Sequence, residues 1–180
     1  MDYQKETHIT RNRDELIELS RVFAKAVKDQ YLQSPDTDIV IQIEGDYASG
    51  KSLVADVIRA EFFGQTDIDP AKWRHLALYD GKTAERSTTV AFVNARFDIL
   101  NILPWCSMIR KQNPGLIFIT NKPANDIGNY IPALGFERPT IKIGVYFTEN
   151  AVRPVQMGPI KVSAPTEMGE RRVTFETLER

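Results

Sequence analysis

Two hydrophobic periods alternate along the chain. Leu16, Leu19, Val22, Phe23, Ala26 and Val27 recur at helical spacing and predict an amphipathic helix. Asn12, followed three residues later by Glu15, is a variant capping box that starts it. A short strand over 7–10 precedes this helix, and the turn Ser34-Pro35-Asp36 follows it. Residues 38–44, rich in β-branched side chains, predict a buried strand. A second helix is predicted over 51–63, with Leu53, Val54, Val57, Ile58 and Phe62 on its inner side and Gly64 as its stop. Residues 73–79 and 88–99 predict the strands of a β-hairpin around a polar turn at 80–87. Residues 99–112 predict a helix that Pro104 interrupts or makes start late. The apolar run 116–120, then 140–147 and Arg171–Thr177, predict three more strands, and 154–168 a Pro- and Gly-punctuated loop. Strands and helices alternating in this way predict one α/β domain. Its expected architecture is a three-layer sheet with helices on both faces and a β-hairpin extension.

Between the strand at 38–44 and the helix that follows stands G-D-Y-A-S-G-K-S, Gly45 to Ser52. This is the phosphate-binding P-loop (Walker A) pattern of nucleotide triphosphatases. Its backbone N–H groups must converge on a polyphosphate, which small residues permit. Gly45, Asp46, Tyr47, Ala48, Ser49, Gly50, Lys51, Ser52 and Leu53 form the expected cradle. Lys51 is placed for the β- and γ-phosphates and the Ser52 hydroxyl for Mg²⁺. The helix behind directs its positive end at the anion. The pattern arises by chance roughly once in 150 chains of this size, and an apolar strand before it and an amphipathic helix after it make chance rarer still. The expected ligands are ATP or ADP with Mg²⁺.

A second acidic residue is expected at the metal, at the end of a neighbouring strand. Asp98, closing the run T-T-V-A-F-V-N-A-R-F-D, fits best; Asp80, in the polar turn, is its rival. Thr120, after L-I-F-I, is a third position near the phosphates, though a polar strand-end residue needs no functional explanation.

Bulk properties narrow the picture. The chain of 180 residues carries a net charge of -1, which argues against broad electrostatic binding to nucleic acid. The single cysteine, Cys106, reads as a small buried hydrophobe. His8 and His75 are isolated, so no zinc-ligand spacing exists. No apolar run reaches membrane-spanning length and the first residues are polar, so a soluble cytoplasmic protein is expected.

The order of these features resembles the TsaE (also called YjeE) family of bacterial P-loop ATPases. Those proteins act with TsaD and TsaB in making threonylcarbamoyladenosine on transfer RNA. Beyond the loop, Asp69-Pro70-Ala71 stands where the family has a Ser-Pro-Thr switch. Arg96-Phe97-Asp98-Ile99-Leu100-Asn101 shares the Phe-Asp core of its His-Phe-Asp-Leu-Tyr-Arg motif. Asn121-Lys122-Pro123 follows an apolar strand as its Glu-Trp-Pro does, with Ile131-Pro132 later for its Leu-Pro. Arg171-Arg172-Val173-Thr174 matches the family's closing strand. The resemblance implies ATP binding, Asp98 as a catalytic and metal residue beside Lys51 and Ser52, and TsaD- or TsaB-like protein partners.

The departures leave three readings. Ala71 replaces the switch threonine, and Asn121 removes a carboxylate. A weak, partner-dependent ATPase of the TsaE kind is the first reading. A small-molecule or nucleotide kinase is the second, with Arg59, Arg74, Arg86 and Arg96 as possible lid residues. A nucleotide-responsive interaction module without turnover is the third.

Overall fold

The computed structural model describes residues 5–33, 39–62, 90–94, 116–121, 140–151 and 169–178. They form β1 (Lys5–Thr10), α1 (Arg13–Gln33), β2 (Ile39–Gly45), α2 (Lys51–Phe62), β3 (Val90–Asn94), β4 (Leu116–Asn121), β5 (Ile141–Phe147) and β6 (Arg171–Thr177). The first strand is two residues longer than the pattern predicts, because β6 pairs along all of it, from Lys5 opposite Glu176 to Thr10 opposite Arg171.

The six strands make one mixed sheet in the order β1-β6-β5-β2-β4-β3. The strand before the P-loop is central: β2 runs parallel to β4 on one side and to β5 on the other. A strand flanked on both sides and buried on both faces reads as a near-continuous apolar run: in I-V-I-Q-I every residue is buried, and Gln42 is its one polar member. β6 runs antiparallel to β5 and to β1.

The helix α1 starts as the capping box predicts, shifted by one donor. The Asn12 Oδ1 accepts from the Glu15 amide at 2.9 Å, while Glu15 reaches back to the Arg11 amide at 2.7 Å. Its buried stripe is Leu16, Ile17, Ser20, Phe23, Ala24 and Val27. This corrects the predicted face: Val22 is 64% exposed and Ala26 is exposed. Successive helical residues turn by about 100°, so a stripe centred on Leu16, Ser20 and Val27 takes in Ile17 and Ala24 and leaves Val22 and Ala26 outside. Ser20 is tolerated in the stripe because its hydroxyl bonds to the Leu16 carbonyl at 2.7 Å.

Both described helices pack on one face of the sheet. Their buried side chains form one core with Ile39, Ile41, Ile43, Phe118, Ile141, Ile143, Val145, Val173 and Phe175, each contributing about 1.5–3 kcal/mol when fully buried. Phe23 of α1 stacks on Phe175 of β6 at 4.6 Å, and Tyr31 meets Phe62 edge-on at 5.0 Å. The opposite face carries Val40, Gln42, Ile117 and Ile119, also buried. The helices expected on that face, and the hairpin with its first strand, lie outside the described residues. No helix among the described residues is long and apolar enough to cross a membrane.

Candidate phosphate-binding site

The loop Gly45–Ser52 leaves the carboxyl end of β2, between the carboxyl ends of β4 and β5. In α/β sheets this is where ligands bind. Gly45 still belongs to the strand, paired with Val145. A Cβ on Gly45 would fall 2.0 Å from the Val145 carbonyl oxygen and 3.1 Å from the Ser49 Oγ. The first glycine is therefore demanded by the neighbouring strand and by the loop folding back over it.

Two residues then take left-handed backbone conformations, Ala48 at φ 55° and Gly50 at φ 109°. For alanine this costs about 1–2 kcal/mol, and such strain gathers at ligand clamps. The Ser49 amide bonds to the Asp46 carbonyl at 3.2 Å, and the Val54 amide to the Gly50 carbonyl at 2.9 Å, which opens α2. The Lys51 ammonium lies across the loop, donating to the carbonyls of Gly45, at 2.9 Å, and of Asp46. Ser52, half-buried, stands in the first turn of α2.

The predicted cradle divides on inspection. The Asp46 carboxylate faces β5, where its Oδ2 accepts from the Phe147 amide at 2.9 Å. Leu53 is in the hydrophobic core, so only its backbone is available to a ligand. Tyr47 and Ala48 are half-buried. Ser49 is fully buried, and its Oγ has no hydrogen-bond partner among the described residues. A hydroxyl left so inside a strained loop fits a loop that takes a hydrogen-bonding ligand, because an unsatisfied buried polar group costs about 1–3 kcal/mol. For a magnesium ion, the described side-chain donor is Ser52. Such an ion is ordinarily held by one or two protein oxygens, phosphate and water, so this modest set fits it. Among the described residues no three His, Cys, Asp or Glu side chains cluster to hold a metal by themselves.

Asp98, Asp80, Ala71 and Cys106 lie outside the described residues. Thr120 is buried, beside Ile43 in register, and Asn121 stands beside Glu44. Arg59, one of the possible lid arginines, is held on its own helix by Asp56, at 2.7 Å from Nη2 and 3.1 Å from Nε. Arg74, Arg86 and Arg96 are outside the described residues.

Three residues that the sequence did not assign to the site, Glu44, Tyr146 and Arg171, crowd the loop. Glu44, the last side chain before Gly45, accepts a hydrogen bond from the Tyr146 hydroxyl and lies 4.0 Å from the Lys142 ammonium. Burial first, then the Glu44 bond and charge, push the Tyr146 phenol well above its ordinary value of 10.0. Arg171 is 2% exposed and donates from Nε to the Ser49 carbonyl at 2.6 Å. The sequence signal for Arg171 was the Arg-Arg-Val-Thr strand, which says nothing of which arginine turns inward.

No protein-family model matches the chain, and no curated protein matches it. The crystal structure of Bacillus subtilis YdiB superposes over 99% of this chain and 89% of that chain, with a TM-score of 0.52 and 14% identity. The chain has the YdiB fold. YdiB is a TsaE (YjeE) protein, so the fold likeness and the sequence resemblance point in the same direction. At this identity the relationship is distant, and the YdiB fold is what the superposition establishes.

Proposed function

We propose that this chain is a TsaE-like P-loop protein that binds ATP with Mg²⁺ and acts through a protein complex. The observation that carries the reading is the loop itself: a strained, glycine-framed turn at the end of the central strand, with Lys51 laid across it and α2 starting behind it. On binding, the Lys51 ammonium exchanges the Gly45 and Asp46 carbonyls for phosphate oxygens. The inward amides and the positive end of α2 supply the rest of the anion site. A magnesium ion on Ser52, with Asp98 as the expected acidic partner, would offset charge on the β- and γ-phosphates. The superposition with YdiB supports the fold side of this reading, and the ordered motifs support the family side. A TsaD- or TsaB-like partner and a role in transfer-RNA threonylcarbamoylation belong to the same proposal.

The held position of Arg59 weakens the kinase alternative. Asn121 in place of a carboxylate favours nucleotide binding with slow turnover. The test is titration of a fluorescent ATP analogue, with Mg²⁺, into wild type and Lys51→Ala. Saturable binding by wild type and its loss in the variant, with an unchanged thermal melt, are expected. Equal binding by both would refute the P-loop reading.

A further inference from the structure

We propose that Arg171 is a positioning residue for phosphate binding: from β6 it fixes the orientation of the Ser49–Gly50 peptide in the P-loop. The proposal rests on the reading of that loop as nucleotide-binding.

Arg171 opens β6 opposite Phe147, the last residue of β5. Its guanidinium is gripped on three sides. Nε donates to the Ser49 carbonyl at 2.6 Å, Nη1 to the Gly169 carbonyl at 2.8 Å, and the Phe147 ring lies 5.2 Å below. Gly169 packs close by: a Cβ there would stand 3.3 Å from the Phe147 ring and at ordinary contact distance, 3.7 Å, from Nη1. Burying a guanidinium carries a desolvation cost that an apolar side chain of similar size avoids. Holding the sheet together therefore does not explain an arginine here, whereas orienting the loop does.

The orientation follows from peptide geometry. The Ser49 carbonyl and the Gly50 N–H belong to one planar trans peptide and point in opposite directions. With the carbonyl fixed toward Arg171, the Gly50 N–H is directed away from β6 and into the loop, as an anion site requires. Gly50, at φ 109°, has no side chain to resist the opposite orientation, so an outside contact must select one. The Asp46 bond to Phe147 holds the first part of the loop to β5, and Arg171 holds the second part to β6.

The test compares wild type, Arg171→Met, Arg171→Lys and Lys51→Ala by titration with a fluorescent ATP analogue and Mg²⁺, well below each melting temperature. The Gly50 amide is followed by nitrogen-15 NMR. The expected result for Arg171→Met is affinity about tenfold weaker, as loss of a charged hydrogen bond predicts, and loss of the nucleotide-induced shift of the Gly50 amide. Arg171→Lys, a single mobile donor, should recover part of both. Wild-type affinity and a wild-type Gly50 shift in folded Arg171→Met would overturn the proposal, even if its melting temperature fell. If Arg171→Met does not fold, Arg171→Lys decides: wild-type values for both readouts overturn the proposal, weakened ones sustain it. Should wild type itself fail to bind, the nucleotide reading fails first. Binding by wild type and Arg171→Met alike, with loss in Lys51→Ala, sinks this inference alone.

Discussion

The Asp46 carboxylate accepts a hydrogen bond from the Phe147 backbone amide at 2.9 Å, across 101 residues of chain. It ties the second residue of the P-loop to the end of β5. Asp46→Ala should cost about 1–3 kcal/mol of stability, because a charge-assisted bond is lost and a half-buried donor is left behind. Asp46→Asn keeps an acceptor and should cost less. Urea unfolding of both variants checks the order; a loss in Asp46→Ala below about 0.5 kcal/mol would show that the bond contributes little.

Gly45 and Gly50 should fail for different reasons when replaced by alanine. At Gly45 the new methyl meets the Val145 backbone oxygen at 2.0 Å, whereas at Gly50 it meets the Leu16 Cδ2 at 2.9 Å with φ at +109°. A backbone oxygen in a sheet cannot move aside, but a leucine terminus can. Gly45→Ala should therefore cost the full overpacking penalty of about 3 kcal/mol or more. Gly50→Ala should cost about 1–2 kcal/mol of backbone strain. Chemical denaturation that ranks Gly50→Ala as the worse of the two would contradict the clash at β5.

Tyr146 predicts an alkaline limb of the stability profile. Its pKa is raised in the folded protein, by burial first and then by Glu44, with Asp46 adding and Arg172 opposing. A raised folded value means that its contribution is fully present below the unfolded pKa of about 10. Above that pH only the unfolded chain releases the proton, so stability falls. Tyr146→Phe should be less stable than wild type at neutral pH, by about 0.5–1.5 kcal/mol for the lost bond. It should also lose less between pH about 9 and pH about 11. Parallel profiles for the two proteins would remove Tyr146 as the cause.

Asp98 is expected to act on Mg²⁺ held at Ser52. Asp98→Asn should raise the Mg²⁺ concentration needed for binding of an ATP analogue. If Asp80→Asn has that effect and Asp98→Asn does not, the acidic partner is Asp80.

Turnover by the isolated chain should be slow. Phosphoryl transfer needs an aligned water as well as charge neutralisation. Asn121 closes β4 and Lys122 is next in the sequence, where a carboxylate would serve, and the neighbouring carboxylate, Glu44, is engaged by Tyr146. A missing positioning group costs on the order of 100- to 1000-fold in rate. Phosphate release assayed with the chain alone should fall far below about 1 per second, and a partner protein should raise it. Rapid release by the purified chain would require a catalytic group elsewhere.

The sequence alone determined the local features. The P-loop pattern, the strand before it and the helix after it are contiguous, so periodicity and turn chemistry expose them directly. β6 was legible to the residue at Arg171–Thr177, and the Asn12–Glu15 cap was visible because a cap involves neighbours in the chain. The tertiary structure decided what depends on distant backbones. It rotated the buried stripe of α1 away from Val22 and Ala26, since a helix can tolerate more apolar residues than it buries. It gave Gly45 its second reason, contact with β5, and engaged the Asp46 carboxylate with the Phe147 amide. It brought Arg171 to Ser49 across 122 residues, a contact that no period can encode. Such a contact is fixed only when β5 and β6 pair in one register and bring their ends against the loop.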